Sequence, residues 1–197
     1  MSELLHRRPV VKELLKKRGD MVVIGGLGAP AWDITAAGDH DNNFPLWGAM
    51  GSAAMIGLGL ALAQPKRRVL VITGDGEMLM ALGALATIAV QRPKNLSIVV
   101  LDNEHYGETG MQRTHTGYGV DMAGMAKAAG FARTMNITAQ KDVLRLRPLI
   151  DGMRGPLFAQ VKIDPEKLPL VLPPREASYI KNRMRISILG PEVALHQ

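Results

Sequence analysis

The stretch GDGEMLMALGALATIAVQRPKNLSIVVLDN, residues 74–103, decides the fold. It opens on a carboxylate, Asp75, held between Gly74 and Gly76, and closes on the pair Asp102-Asn103. The run RRVLVIT, residues 67–73, reads as a buried strand delivering the chain to Gly74. Residues 77–91 then read as a helix that Pro93 breaks, and LSIVVLD as the next strand. Flanking glycines permit unusual dihedrals and let a ligand approach the backbone closely. Amides at the start of the following helix favour phosphate there. One carboxylate beside such a turn suits Mg²⁺, which takes few protein ligands and shares phosphate oxygens. The carboxamide of Asn103, at the next strand end, offers a second hard oxygen. Glu77 also reads as a first-turn acid favoured by the helix dipole. The lysine loop of a Walker A site is absent.

Working outward, apolar spacing predicts a helix near 9–18 ended by Gly19, then a short strand in MVVIGG and a helix over 51–63. Downstream, 122–130 and 140–153 read as helices and PLFAQVKI, 156–163, as a strand. LPLVLPP, 168–174, carries the chain over the surface to a final helix. Alternating strands and helices predict an α/β fold, a parallel sheet flanked by helices on both faces. Ligands on such sheets bind at the carboxyl ends of strands, where Gly74 and Asn103 fall. The chain of 197 residues reads as one domain with a core over about 20–165 and terminal helical extensions.

The net charge of +6 is uneven: residues 1–18, with Glu3 and Glu13 against six cations, carry +4, and residues 173–187 carry +3. That placement predicts solvated faces of terminal helices. A nucleic-acid binder would show a basic face interleaved with aromatics, yet aromatics make up only 4%. The Gly-interrupted apolar run 49–63 is too short for a membrane span, and no signal-peptide core precedes it. Without cysteine there is no disulfide framework or thiolate metal site. The expectation is a cytoplasmic protein that binds neither nucleic acid nor membrane.

The spacing GDG, 25 residues, DN resembles the diphosphate-binding signature of the thiamine diphosphate-dependent 2-oxo acid decarboxylase family. That family usually has Asn-Asn where this chain has Asp102-Asn103. The resemblance implies thiamine diphosphate and Mg²⁺ as cofactors. It makes Asp75, Asn103 and the backbone carbonyl of His105 the metal ligands. Gly74, Gly76, Glu77, Tyr106 and Gly107 would surround the diphosphate. The segment WGAMGSAAMIGLGLALAQPKRRVLVITGDG, 47–76, is similar to the family's upstream stretch. By that likeness the Gly48 carbonyl receives the cofactor's 4′-amino group, and Met50 wedges between its rings. The loop DNEHYGETGMQRTHTG, 102–117, is similar to that of the sulfopyruvate decarboxylase β subunits, and less so to phosphonopyruvate decarboxylases. Its Gln112, Arg113, Thr114, His115 and Thr116 are donors suited to an anion, and Arg113 and His115 are the candidates for touching substrate.

In most of the family a glutamate on a separate pyrimidine-binding domain completes the site. Once 20–165 is assigned to the diphosphate domain, no room remains for it in this sequence. The resemblance therefore implies half an active site, completed by a separate pyrimidine-binding (α-type) subunit, with self-association as well. The implied reaction is decarboxylation of a small anionic 2-oxo acid, 3-sulfopyruvate to sulfoacetaldehyde and CO₂. Alternatives are phosphonopyruvate decarboxylation, another thiamine diphosphate-dependent lyase or carboligase, and a noncatalytic cofactor-binding regulatory subunit.

Overall fold

A computed structural model describes residues 4–196; Glu3, counted in the terminal charge, lies outside them. In chain order the elements are α1 (Arg7–Leu15), β1 (Val22–Gly25), α2 (Ala29–Ala36), β2 (Asn43–Pro45), α3 (Ala53–Ala63) and β3 (Val69–Gly74). There follow α4 (Asp75–Met80), α5 (Leu82–Gln91), β4 (Leu96–Asp102), the two-residue strands β5 (His105–Tyr106) and β6 (Gln112–Arg113), and a 3₁₀ turn at His115–Tyr118. The chain closes with α6 (Met122–Ala129), β7 (Arg133–Ile137), α7 (Gln140–Asp151), β8 (Leu157–Lys162), α8 (Ala177–Leu189) and α9 (Pro191–His196).

Six strands form one sheet in the order β2-β1-β3-β4-β8-β7, every pairing parallel. The central strands are apolar on both faces because both faces are covered. Alternation along β3 sends Val69 and Val71 into one core, with α3, α5 and α6, and Leu70 and Ile72 into the other, with α1 and α7. Gly57 allows α3 to lie close on the sheet, since a Cβ there would meet Val71 Cγ2 at 2.3 Å. The α/β expectation holds, and strand β4 has the bounds that the sequence predicts.

Three departures have physical causes. The single helix expected over 77–91 is two, broken where Ala81 leaves helical geometry (φ −123°, ψ 33°). Glu77 ties α4 to two loops, whereas Leu85 and Ile88 seat α5 on the sheet, so the two helices answer to different anchors. The first helix stops at Leu15, before Gly19, as Lys17 already turns to positive φ. Finally, the terminal cations are not simply solvated. Arg7 is buried against Asp33 at 3.0 Å, Arg18 is buried on Asn43, and Arg183 grips Asp39 bidentately at 2.7 and 3.0 Å. These pairs pin the terminal segments down, and the buried core reaches Leu5 at one end and Met184 at the other. The Pro-rich stretch crosses the surface as expected, and Trp47 Nε1 donates to the Pro174 carbonyl at 2.7 Å.

Candidate active site

The ends of β3 and β4 lie side by side, with Gly74 opposite Leu101. Asp75 therefore leaves β3 next to Asp102 leaving β4. Asp75 is 2% exposed. Burial pushes its carboxyl up to about 6, a Thr114 hydrogen bond pulls it back, and the charge of Asp102 raises it further. Thr114 Oγ1 donates to Asp75 Oδ2 at 2.5 Å, and Thr116 Oγ1 lies 3.4 Å from the same oxygen. Above Gly74 the space is open, since a Cβ there would meet nothing within 4 Å.

Asp102 is fully buried and is no idle substitute for an amide. Its carboxylate accepts from Thr116 Oγ1 at 2.7 Å, Gln160 Nε2 at 2.6 Å and the Glu104 backbone N–H at 3.0 Å. Lys162 Nζ lies 2.8 Å from Asp102 and 2.7 Å from Glu104. Burial works against the Lys162 charge, but its hydrogen bonds to the two carboxylates more than offset that, so its pKa is raised. Asn103 Oδ1 accepts from the His105 N–H at 3.0 Å, and the His105 ring packs back onto the Asn103 carbonyl at 2.8 Å. This turn fixes the chain direction that takes His105 and Tyr106 past the strand ends.

Tyr106 lies over Gly76: a Cβ there would meet the ring at 2.6 Å and Met50 Cε at 3.6 Å. The structure thus brings Met50, Gly76 and Tyr106 together. Met50 is 38% exposed and follows Ala49, whose φ of 56° is unusual for a residue with a side chain. Gly48 is open, with nothing within 4 Å of a Cβ. Gly107 is exposed on the same loop.

The Glu77 side chain does something the sequence does not reveal. Oε2 accepts from the Leu27 N–H at 2.8 Å, and Oε1 from Gly51 and Ala53 at 3.3 and 3.4 Å. Its carboxylate braces two loops, leaving only its backbone to face a ligand. A Cβ on Gly26 would fall 2.2 Å from Oε2, so that glycine makes the brace possible.

The loop donors divide. Arg113 and His115 are exposed, whereas Thr114 and Thr116 turn inward onto Asp75 and Asp102 and are not available to an external anion. Gln112 is folded onto Thr109, with bonds of 2.9 Å in both directions. Arg113 rests 5.1 Å from the Tyr118 ring centroid and 3.9 Å from Glu104. The sequence reading missed the roles of Gln160 and Lys162; their signal is strand register, which sets Lys162 opposite Asp102.

The donor chemistry fits a small hard cation bound with phosphate. Among the described residues no cluster of three His, Cys, Asp or Glu side chains could hold a metal ion. A cation here would rely on one carboxylate with amide and carbonyl oxygens, the sparse protein contribution typical of Mg²⁺. Among them, too, no helix is long and apolar enough to cross a membrane.

A parallel sheet with a carboxylate-bearing glycine turn at its carboxyl edge defines an α/β protein with an open ligand site at its strand ends. Residues 29–155 match the family described as thiamine pyrophosphate enzyme, C-terminal TPP binding domain, and the chain belongs to that family. It is 36% identical over 187 residues to the sulfopyruvate decarboxylase subunit beta of Methanothermobacter thermautotrophicus, covering 95% of this chain and 97% of that one. It is 35% identical to the phosphonopyruvate decarboxylase of Streptomyces viridochromogenes, covering 87% of this chain but 43% of that protein. Benzoylformate decarboxylase from Polynucleobacter necessarius shares the fold, with a TM-score of 0.66 at 20% identity over 84% of this chain and 34% of that one.

Proposed function

We propose that this chain is the diphosphate-binding subunit of a thiamine diphosphate-dependent decarboxylase that converts 3-sulfopyruvate to sulfoacetaldehyde and CO₂. The observation that carries the reading is Asp75, a buried carboxylate with a raised pKa, at a strand end beside open backbone. Near-full-length similarity to a sulfopyruvate decarboxylase β subunit supports the substrate. The 35% identity to a phosphonopyruvate decarboxylase keeps that 2-oxo acid as the second reading.

In this reading Asp75, Asn103 and the His105 carbonyl hold Mg²⁺. The backbone of Gly74, Gly76 and Glu77, with Tyr106 and Gly107, holds the diphosphate. Gly48 would offer its carbonyl to the pyrimidine, and Met50, beside Gly76, would pack against the cofactor rings. Thiamine diphosphate supplies the electron sink for loss of CO₂, and the protein supplies position and electrostatics. Exposed Arg113 and His115 are suited to guide the substrate's anionic group. Thr114 and Thr116 keep the Asp75 carboxylate oriented.

The partner is a separate pyrimidine-binding subunit. The relative that this chain covers to 97% is named a subunit, whereas this chain covers 43% of the phosphonopyruvate enzyme. No charged residue occurs over 48–65 or 78–91, and Met55, Leu62, Met80 and Val90 are 42–76% exposed there. Large exposed apolar faces mark interfaces. Self-association and a cytoplasmic location go with this reading. The test is CO₂ release from sulfopyruvate and phosphonopyruvate by the chain, by its partner and by both mixed. Sulfopyruvate turnover only in the mixture supports the reading; full turnover by the chain alone contradicts it.

A further inference from the structure

Asp102 has no solvent exposure, and a carboxylate left unpaired in such a place is costly. Its cationic partner is Lys162, contributed by β8. The pairing follows from sheet register, because β4 and β8 run parallel with Asp102 directly opposite Lys162. The same ammonium reaches Glu104 Oε1 at 2.7 Å. Lys162 thus holds the carboxylates on both sides of Asn103, at 102 and 104. Glu104 has φ of 63°, a strained geometry for a residue with a side chain, and its backbone carries the chain from Asn103 to His105. Its N–H is tied to Asp102 Oδ1 at 3.0 Å, and its carbonyl accepts from the Thr114 N–H at 2.8 Å. Thr114 in turn donates to Asp75. One lysine therefore sits at the base of a polar network joining Asp102, the strained turn and Asp75.

We propose that Lys162 is a positioning residue for the cofactor site: it fixes the 102–105 turn on which Asn103 and His105 depend, without touching cofactor or substrate. This rests on the reading of Asp75, Asn103 and His105 as the ligands of Mg²⁺–diphosphate. Two of the ammonium's three N–H donors go to these carboxylates, whose charges offset its own.

The test uses the assembled enzyme, with thiamine diphosphate titrated calorimetrically at saturating Mg²⁺ and kcat measured at saturating cofactor. Lys162→Met should raise the cofactor Kd by about 10- to 100-fold, the usual effect of losing a group that orients a ligand. Its kcat at saturation should stay within about threefold, since only binding geometry is lost. Lys162→Arg keeps a cation opposite Asp102 and Glu104, and should hold Kd within about threefold of wild type. That conservative variant also decides the matter where Lys162→Met folds poorly. An unchanged Kd in Lys162→Met, a collapse of kcat at unchanged Kd, or a folded Lys162→Arg variant weakened tenfold would each overturn the proposal. Wild-type enzyme that fails to bind thiamine diphosphate overturns the cofactor reading itself, and this inference with it.

Discussion

Replacing Asp75 by Asn should stabilise the cofactor-free chain while removing its function. At pH 8 the wild-type protein folds with an ionised carboxylate that is 2% exposed. Burial foremost pushes that carboxyl from 3.8 to about 6. The folded state therefore holds the proton more tightly than the unfolded chain. Between about pH 4 and pH 6 the wild type loses stability as pH rises, and above that window the loss is complete. The shift corresponds to about 3 kcal/mol. Asn keeps the shape and an oxygen for the Thr114 hydroxyl, while its buried NH₂ returns a cost of about 1 kcal/mol. The net gain is about 2 kcal/mol at pH 8, or about 4–8 °C in Tm for a chain of this size. At pH 5 the wild-type group is mostly protonated when folded, and the gain should shrink below about 1 kcal/mol. Calorimetric melts of both proteins at both pH values measure this. Added Mg²⁺ and thiamine diphosphate should then raise the wild-type Tm alone. A variant that melts below wild type at pH 8, or shows the same gain at pH 5 and pH 8, would refute the reasoning.

Glu77→Gln places an NH₂ against backbone donors from Leu27 or from Gly51 and Ala53. It should cost about 3 kcal/mol and lower Tm by about 6–12 °C, read by the same melts. Met50→Ala removes the side chain beside Gly76 and leaves the strand-end oxygens untouched. Turnover in the assembled enzyme should fall about tenfold or more, with the cofactor Kd within about threefold; wild-type turnover would make Met50 ordinary packing.

The strand ends that carry Asp75 and Asn103 were legible because apolar runs lead straight into Gly-flanked polar residues, a local signal. The elements that escaped sequence reading lack such a signal. β2 is three residues long and contains Pro45, and edge strand β7, RTMNI, exposes Arg133 and Asn136. α2 follows the glycine turn with little amphipathic contrast. Within the site, the Glu77 brace depends on backbone donors 24 to 50 residues away, which only tertiary packing supplies. Lys162 depends on strand register that sets it opposite Asp102, 60 residues away in sequence (162 − 102). Thr114 and Thr116 turn inward because their partners, Asp75 and Asp102, lie 39 and 14 residues away in sequence, a placement that only the folded sheet supplies. Buried arginines at the chain ends look like surface charge until Asp33 and Asp39 are placed beside them.

The most direct measurement of the central claim is a titration of thiamine diphosphate into the assembled enzyme with and without Mg²⁺, for wild type and Asp75→Ala. Wild type should bind one cofactor per copy of this chain, only with the cation present. Asp75→Ala should show no detectable binding, while its circular dichroism spectrum and melt report an intact fold. Unchanged cofactor affinity in folded Asp75→Ala would contradict the placement of the Mg²⁺–diphosphate site at the ends of β3 and β4.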